Sequence, residues 1–392
     1  MPYPLLIFHH MNIPEEFDPI RPFEPEELPE VFERLLANKQ FVHVMGYVLP
    51  QLSAEAFAQT LRSCRTNLDV QKKLAYPFLC GLIAKYCKEM DMNYAAVDNT
   101  KRYTFISNHR DIVLDSAFLD KLLIDSGFTT TCEIAIGDNL LALPWIKDLA
   151  RVNKSFIVER GLPMRQMLAA SKRLADYMHF AINEKNENIW IAQREGRAKD
   201  SDDRTQEAIL KMMAMGGEGS VIDRLAHLHI VPMAISYEFD PCDYLKAQEF
   251  QLKRDVPGWK KSPQDDITSM QTGIMGYKGR IHYHCAPCID DYLHGLDAGL
   301  SKTNLYQAVA QHIDTEIHRN YRLYPCNYIA LDMLETSTRY AGRYTADDKA
   351  FFENYLAAQL AKIQISDKDE DYLMKRVLTM YANPAKNYLA AL

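Results

Sequence analysis

Five short apolar runs constrain the fold of this chain more than any other feature. They are Tyr103-Thr104-Phe105-Ile106, Cys132-Glu133-Ile134-Ala135-Ile136, Ser155-Phe156-Ile157-Val158, Asn188-Ile189-Trp190-Ile191-Ala192 and Ile230-Val231-Pro232-Met233-Ala234-Ile235. Amphipathic segments long enough to be helices separate them. Strands that alternate with helices predict an α/β fold, with a mostly parallel sheet flanked by helices. Pro232 lies inside the last run, and proline in a strand predicts an edge or a first residue.

Outside this region the spacing is helical. From Glu26 to about Asp91 the apolar positions Val31, Leu35, Leu36, then Phe57, Leu61, then Leu74, Phe78, Leu82 and Ile83 recur at helical spacing, with Ser53 suited to open a helix. Residues 1–25 are acidic and proline-rich and read as an extended lead-in. From Thr345 onward Phe352, Tyr355, Leu356 and Leu360 restore a helical period. The expected division is an N-terminal helical segment over 1–95, an α/β domain over 96–335 and a helical tail over 336–392.

A chain of 392 residues with 47% hydrophobic and 25% charged residues folds without disulfide staples, so its eight scattered cysteines are expected to be reduced thiols. A net charge of −7 excludes a nucleic-acid binder driven by bulk charge. The most apolar stretch, Tyr76–Ala84, stops at Lys85, far short of the roughly 18 apolar residues that span a bilayer. The N-terminus lacks the basic start and cleavage site of a secretory signal. The expectation is a cytoplasmic protein whose membrane contact, where it exists, is peripheral.

In open α/β sheets ligands bind beyond the carboxyl ends of the strands. The first such end reads Ser107-Asn108-His109-Arg110-Asp111-Ile112-Val113-Leu114-Asp115. A carboxylate that accepts from Nδ1–H of His109 would fix the tautomer and leave Nε2 as a general base. Asp111 and Asp115 are both candidates. Asp111 also suits the cap of the following helix, which favours Asp115 as the partner. Two further ends place cations after strands: Glu159-Arg160-Gly161 and Arg194-Glu195-Gly196-Arg197-Ala198-Lys199. Arginine's planar fork suits phosphate oxygens, so these ends read as an anion site or as a solvated basic face.

Taken in order, Asn108-His109 with Asp115, Phe156-Ile157 with Arg160, Glu195-Gly196-Arg197, and Val231-Pro232 with Ile235 resemble the motifs of the glycerolipid acyltransferase family. The resemblance spans residues 105–237, and the helical lead-in is similar to that of its soluble glycerol-3-phosphate members. It implies a fatty acyl thioester donor, on coenzyme A or acyl carrier protein, and glycerol 3-phosphate or its 1-acyl derivative as acceptor. It implies His109 as base, Asp115 or Asp111 as its orienting acid, and Arg160, Arg197 and Lys199 as phosphate ligands. Arg110 after the histidine points the same way, and Glu195 and Gly196 would shape the acceptor loop. Two departures stand out: five residues, not four, separate His109 from Asp115, and Arg197 follows Gly196 directly. The thioester is a co-substrate, so no cofactor is expected.

Other chemistries compete. A lipid- or anion-binding protein on the same fold would not need His109 beside a carboxylate, and a hydrolase would use the histidine to activate water. His282, His284, Cys285 and Cys288 crowd four metal-ligating residues into seven positions, tighter than ordinary zinc spacing. That segment reads as a core strand from Gly279 to Pro287, His227 and His229 read as ordinary histidines, and no metal is expected. Trp259, between Gly258 and the pair Lys260 and Lys261, is a candidate membrane contact or an ordinary loop residue.

Overall fold

A computed structural model describes residues 12–297 and 299–392. Seven strands form one sheet: β1 (Cys87–Asn93), β2 (Thr104–Ser107), β3 (Cys132–Gly137), β4 (Ser155–Val158), β5 (Asn188–Ala192), β6 (Ile230–Tyr237) and β7 (Gly279–Cys285). Their spatial order is β1-β7-β6-β2-β5-β3-β4. Every neighbouring pair is parallel except β6 with β7. The expected α/β fold, a mostly parallel sheet flanked by helices, is what forms, and the five apolar runs are β2 to β6.

Alternation along each strand sends side chains to opposite faces. Ile106, Ile189, Ile191 and Ile230 join one core, beneath the helices Met164–Asn183 and Lys302–Arg319. Phe105, Trp190, Val231 and Ile235 join the other, against the helix Leu114–Asp125. Both faces are covered, which is why the runs read as continuously apolar. The strand order puts the carboxyl end of β2 in the middle of the sheet, between the ends of β5 and β6.

Three local expectations change. Helical spacing extends to about Asp91, but the helix Tyr76–Tyr86 ends there and residues 87–93 pair with β7 as an edge strand. The segment Cys-Lys-Glu-Met-Asp-Met-Asn has weak propensity of its own, and the ladder offered by β7 overrides the helical period. Pro232 lies in an interior strand, not at an edge. Its carbonyl accepts from the Ala286 N–H (2.9 Å), one position beyond the start of the β6–β7 ladder at Met233 and Cys285, so the missing N–H falls past the end of that ladder. The lead-in is packed rather than merely extended. Phe17 and Ile20 are buried in the main core, and the Ile20 carbonyl accepts from the Ile157 N–H (2.9 Å), which covers the open edge of β4. Residues 1–11 of that lead-in lie outside the described residues.

The N-terminal helices Leu28–Ala37, Lys39–Val48 and Ala54–Arg62 share a small core with the helix Pro144–Val152. Ser53 caps the third of them through the Ala56 N–H, as its position suggested. The helices Ala346–Leu360 and Glu370–Ala390 pack with Pro325–Glu335 around Phe352, Leu373 and Val377. Among the described residues no helix is long and apolar enough to cross a membrane.

Asp243 ties these last helices to the helix Asp243–Asp255. Its buried carboxylate accepts from the hydroxyls of Tyr355 (2.9 Å) and Tyr381 (2.8 Å) and from the Gln359 amide. Burial pushes this carboxyl from 3.8 up to about 7. Between those values the folded chain keeps a proton that the unfolded chain has released, so this contribution to stability is full below about pH 4 and is lost as pH rises through about 7. Asp120, likewise pushed up to about 7, acts with the same sign. Asp243→Asn should therefore flatten, but not abolish, the decline in stability between about pH 4 and pH 7.5, as read by urea unfolding; an unchanged slope would refute the assignment.

Candidate active site

The turn after β2 is built around one buried carboxylate. Asp115, in the first turn of the helix Leu114–Asp125, places Oδ2 2.8 Å from Nδ1 of His109. The same oxygen accepts from the backbone N–H groups of Arg110 (2.6 Å) and Asp111 (3.0 Å). Asp115 is fully buried, whereas His109 keeps 13% of its side chain exposed, with no partner on Nε2 among the described residues. Trp190 stands edge-on to the imidazole at 5.6 Å, and the Tyr283 hydroxyl donates to the Asp115 carbonyl (2.9 Å).

The two aspartates make different contacts. Asp111 accepts from the N–H groups of Val113 (2.9 Å) and Leu114 (2.8 Å), satisfying donors at the helix start, and makes no hydrogen bond with the imidazole. Burial and the neighbouring Asp115 raise its carboxyl above the usual range. The helix Pro263–Met275 packs so closely on Asp111 that a Cβ added at Gly273 would fall 1.9 Å from its Oδ2.

Asn108 is a residue whose role sequence reasoning missed. Its side-chain amide donates to the Ile235 carbonyl (2.9 Å) and accepts from the Ile235 N–H (2.8 Å). It thus extends the pairing of β2 with β6 by one side chain and holds the His109 turn onto the sheet. The only signal in the sequence was its place beside the histidine. Gln193, at the end of β5, is also buried, and neither of its amide atoms has a hydrogen-bond partner among the described residues.

The cations sort differently from the expectation. Arg110 is a correction: its guanidinium is buried against Asp203 (2.7 Å) and lies over the Tyr321 ring, while the Tyr321 hydroxyl donates to the same carboxylate (2.5 Å). A charge neutralised this way braces the turn and is not presented to a ligand. Arg160 pairs with Glu195 at 3.3 Å, bringing the ends of β4 and β5 together, and its guanidinium lies across Gly137. Gly196 adopts a φ of +67°, the left-handed backbone that turns this loop. Lys199 is ion-paired with Glu249, and burial lowers its ammonium while that pairing opposes the effect.

Arg197 differs from these three cations, as does Arg194, whose Nε is buried without a hydrogen-bond partner among the described residues. Among the described residues Arg197 forms no ion pair, and its Nη1 is buried without a hydrogen-bond partner. It lines a pocket with Lys199, Lys246, Trp259, Lys261 and Ser269. Lys246 in turn donates to the Arg110 carbonyl (3.2 Å), so this pocket adjoins the His109 turn. Trp259 is half-buried in the pocket wall rather than projecting from the surface.

The model of the acyltransferase family matches residues 91–236, from β1 to the end of β6, and so includes the His109 turn and both cationic strand ends. These residues are an acyltransferase domain. The chain is accordingly an acyltransferase, on a fold of the expected kind. Among solved structures, the 1-acyl-sn-glycerophosphate (LPA) acyltransferase PlsC from Thermotoga maritima is similar at a TM-score of 0.35 and 10% identity, covering 74% of this chain and 95% of that one. No curated protein matches the chain.

Within the acyltransferase domain the contacts separate the two aspartates. Asp115→Asn leaves an amide facing backbone N–H donors and removes the acceptor that orients His109, so kcat should fall by about 10²–10⁴. Asp111→Asn keeps an oxygen for the helix start and should cost less than about tenfold. Steady-state rates of the two variants decide the matter, and the reverse order would reassign the pair.

Proposed function

We propose that this acyltransferase moves a fatty acyl group from a thioester of coenzyme A or acyl carrier protein to a hydroxyl of glycerol 3-phosphate or 1-acyl-glycerol 3-phosphate. The observation that carries the reading is the pairing of His109 with the buried Asp115, beside a pocket that holds an unpaired arginine.

The chemistry follows from that arrangement. Asp115 holds the proton on Nδ1, so Nε2 is the basic nitrogen that faces the acceptor. As the acceptor hydroxyl attacks the thioester carbonyl, its proton passes to Nε2. The C–O ester bond forms, the C–S bond breaks, and the leaving thiolate recovers the proton from the imidazolium. A thiolate leaves readily, so no acyl-enzyme is needed. Arg197 would hold the acceptor phosphate through its unpaired fork, with Lys199 and Arg160 available once phosphate competes with Glu249 and Glu195.

A lipid surface is the expected partner. Met164 (87% exposed), Leu168 (66%) and Met167 lie at the start of the helix that follows Arg160, on the rim that carries His109. The exposed Arg165 and Lys172 flank them, and this mix of apolar and basic side chains suits an anionic phospholipid surface.

Thiol release from an acyl thioester tests the reading, with glycerol 3-phosphate, 1-acyl-glycerol 3-phosphate or water alone as acceptor. Release should require a phosphate acceptor, and His109→Ala should lower kcat by about 10²–10⁴ while the fold persists. Arg197→Ala should raise the acceptor KM by about tenfold or more and leave the donor KM unchanged. Release with water alone would make the protein a thioesterase. A separate sedimentation assay with anionic vesicles should show Met164→Asp and Leu168→Asp each reducing binding by about tenfold or more; undiminished binding would place the membrane contact elsewhere.

A further inference from the structure

At the amino end of β6, remote from the rim that carries His109, three side chains with metal-ligating atoms converge. A ring nitrogen of His229, Sγ of Cys288 and a carboxylate oxygen of Asp290 all lie within 4.8 Å of one another. Two separate segments supply them. His229 immediately precedes β6, and Cys288 and Asp290 follow β7. The antiparallel pairing of these strands brings the segments together, through Ala286 N–H to the Pro232 carbonyl (2.9 Å) and Ile289 N–H to the Ile230 carbonyl (2.9 Å). The His229 carbonyl also accepts from the Thr104 N–H (3.2 Å), which fixes the cluster at the start of β2, whereas His109 follows the other end of that strand.

The cluster is a poor ion pair left as it stands. His229 Nδ1 lies 2.6 Å from Asp290 Oδ2, but Asp290 Oδ1 is buried with no hydrogen-bond partner among the described residues. All three residues are half-buried, so an ion has a path in from solvent. The four-residue crowd that the sequence singled out does not assemble. His282 turns to Asp91 (3.1 Å), Cys285 is buried in the core, and of that group only Cys288 reaches the cluster.

We propose that His229, Cys288 and Asp290 bind a divalent cation of the zinc class, with water in the fourth position. One nitrogen, one sulfur and one oxygen form a borderline-soft set, which suits zinc or cobalt and not magnesium or calcium. Tetrahedral ligands about 2.0–2.3 Å from a metal stand about 3.3–3.6 Å apart, so the cluster needs only side-chain adjustment to close on an ion. On binding, the Cys288 thiol releases its proton to solvent and the sulfur–metal bond replaces S–H. The thiolate and the Asp290 carboxylate together balance the dication, and His229 exchanges its bond to Asp290 for one to the metal. The ion would cross-link the strand β6 to the segment after β7. The assignment is independent of the acyl-transfer reading.

The test is a cobalt titration of the full chain after chelator treatment. One equivalent should give the visible bands of tetrahedral cobalt together with a near-ultraviolet thiolate-to-cobalt band, and zinc should displace both. Cys288→Ser should remove the thiolate band, Cys80→Ser should keep it, and His229→Gln should weaken binding by about tenfold or more. Zinc should raise the melting temperature of the parent chain and leave that of the Cys288→Ser, His229→Gln double variant unmoved. No saturable binding by the parent chain, or a thiolate band that survives Cys288→Ser, would overturn the proposal.

Discussion

The buried carboxylate of Asp115 organises the whole rim of this enzyme. One oxygen accepts from the His109 ring and from two successive backbone N–H groups, so it shapes the turn and orients the imidazole at once. An ionised carboxylate away from water costs several kcal/mol unless charge-assisted hydrogen bonds replace its hydration. Here the donors to Oδ2 come from the turn that it stabilises, at the start of a helix where the macrodipole favours negative charge, while Oδ1 is buried without a hydrogen-bond partner among the described residues. Geometry for a base and stability for the turn are therefore the same interaction. Asn108 clamps that turn to β6, and Gly273 lets a neighbouring helix close over Asp111.

Around this turn three cations are matched with carboxylates, whereas Arg194 and Arg197 form no ion pair among the described residues. Arg110 meets Asp203, Arg160 meets Glu195 and Lys199 meets Glu249. The pairs do not rank equally. Arg110 and Asp203 are both buried, so their separation would leave uncompensated charge in the interior. Arg160 and Glu195 are exposed enough for solvent to screen them, so their pairing contributes little. Arg197 keeps its Nη1 buried without a hydrogen-bond partner among the described residues.

The peripheral elements serve the sheet. The lead-in satisfies the exposed edge of β4 through Ile20, and the C-terminal helices gather on Asp243 through two tyrosines and a glutamine. Fully satisfied buried networks of this kind specify one arrangement of helices more sharply than apolar contact alone. On the far side of the sheet, the one antiparallel pair brings the end of β7 back to the start of β6. That reversal lets residues about sixty positions apart, His229 and Asp290, meet.

Much of this was legible in the sequence. The apolar runs marked five of the seven strands, because strands covered on both faces read as nearly continuous apolar runs. The place of His109 in a loop, with Asp115 in the first turn of the next helix and Asp111 just ahead of it, agrees with helical geometry and with the preference of aspartate for helix starts, which act over a few residues. What the sequence left open depended on partners distant along the chain. Residues 87–93 become a strand only because β7 offers a ladder, and Pro232 can sit inside the sheet only because a ladder ends beside it. Arg110 differs from Arg197 in what it meets: Asp203 and Tyr321 in one case, and in the other, among the described residues, no carboxylate within ion-pair distance. Local rules reach as far as a turn or a cap, whereas the pairing of buried charges is decided by which segments the sheet order brings together.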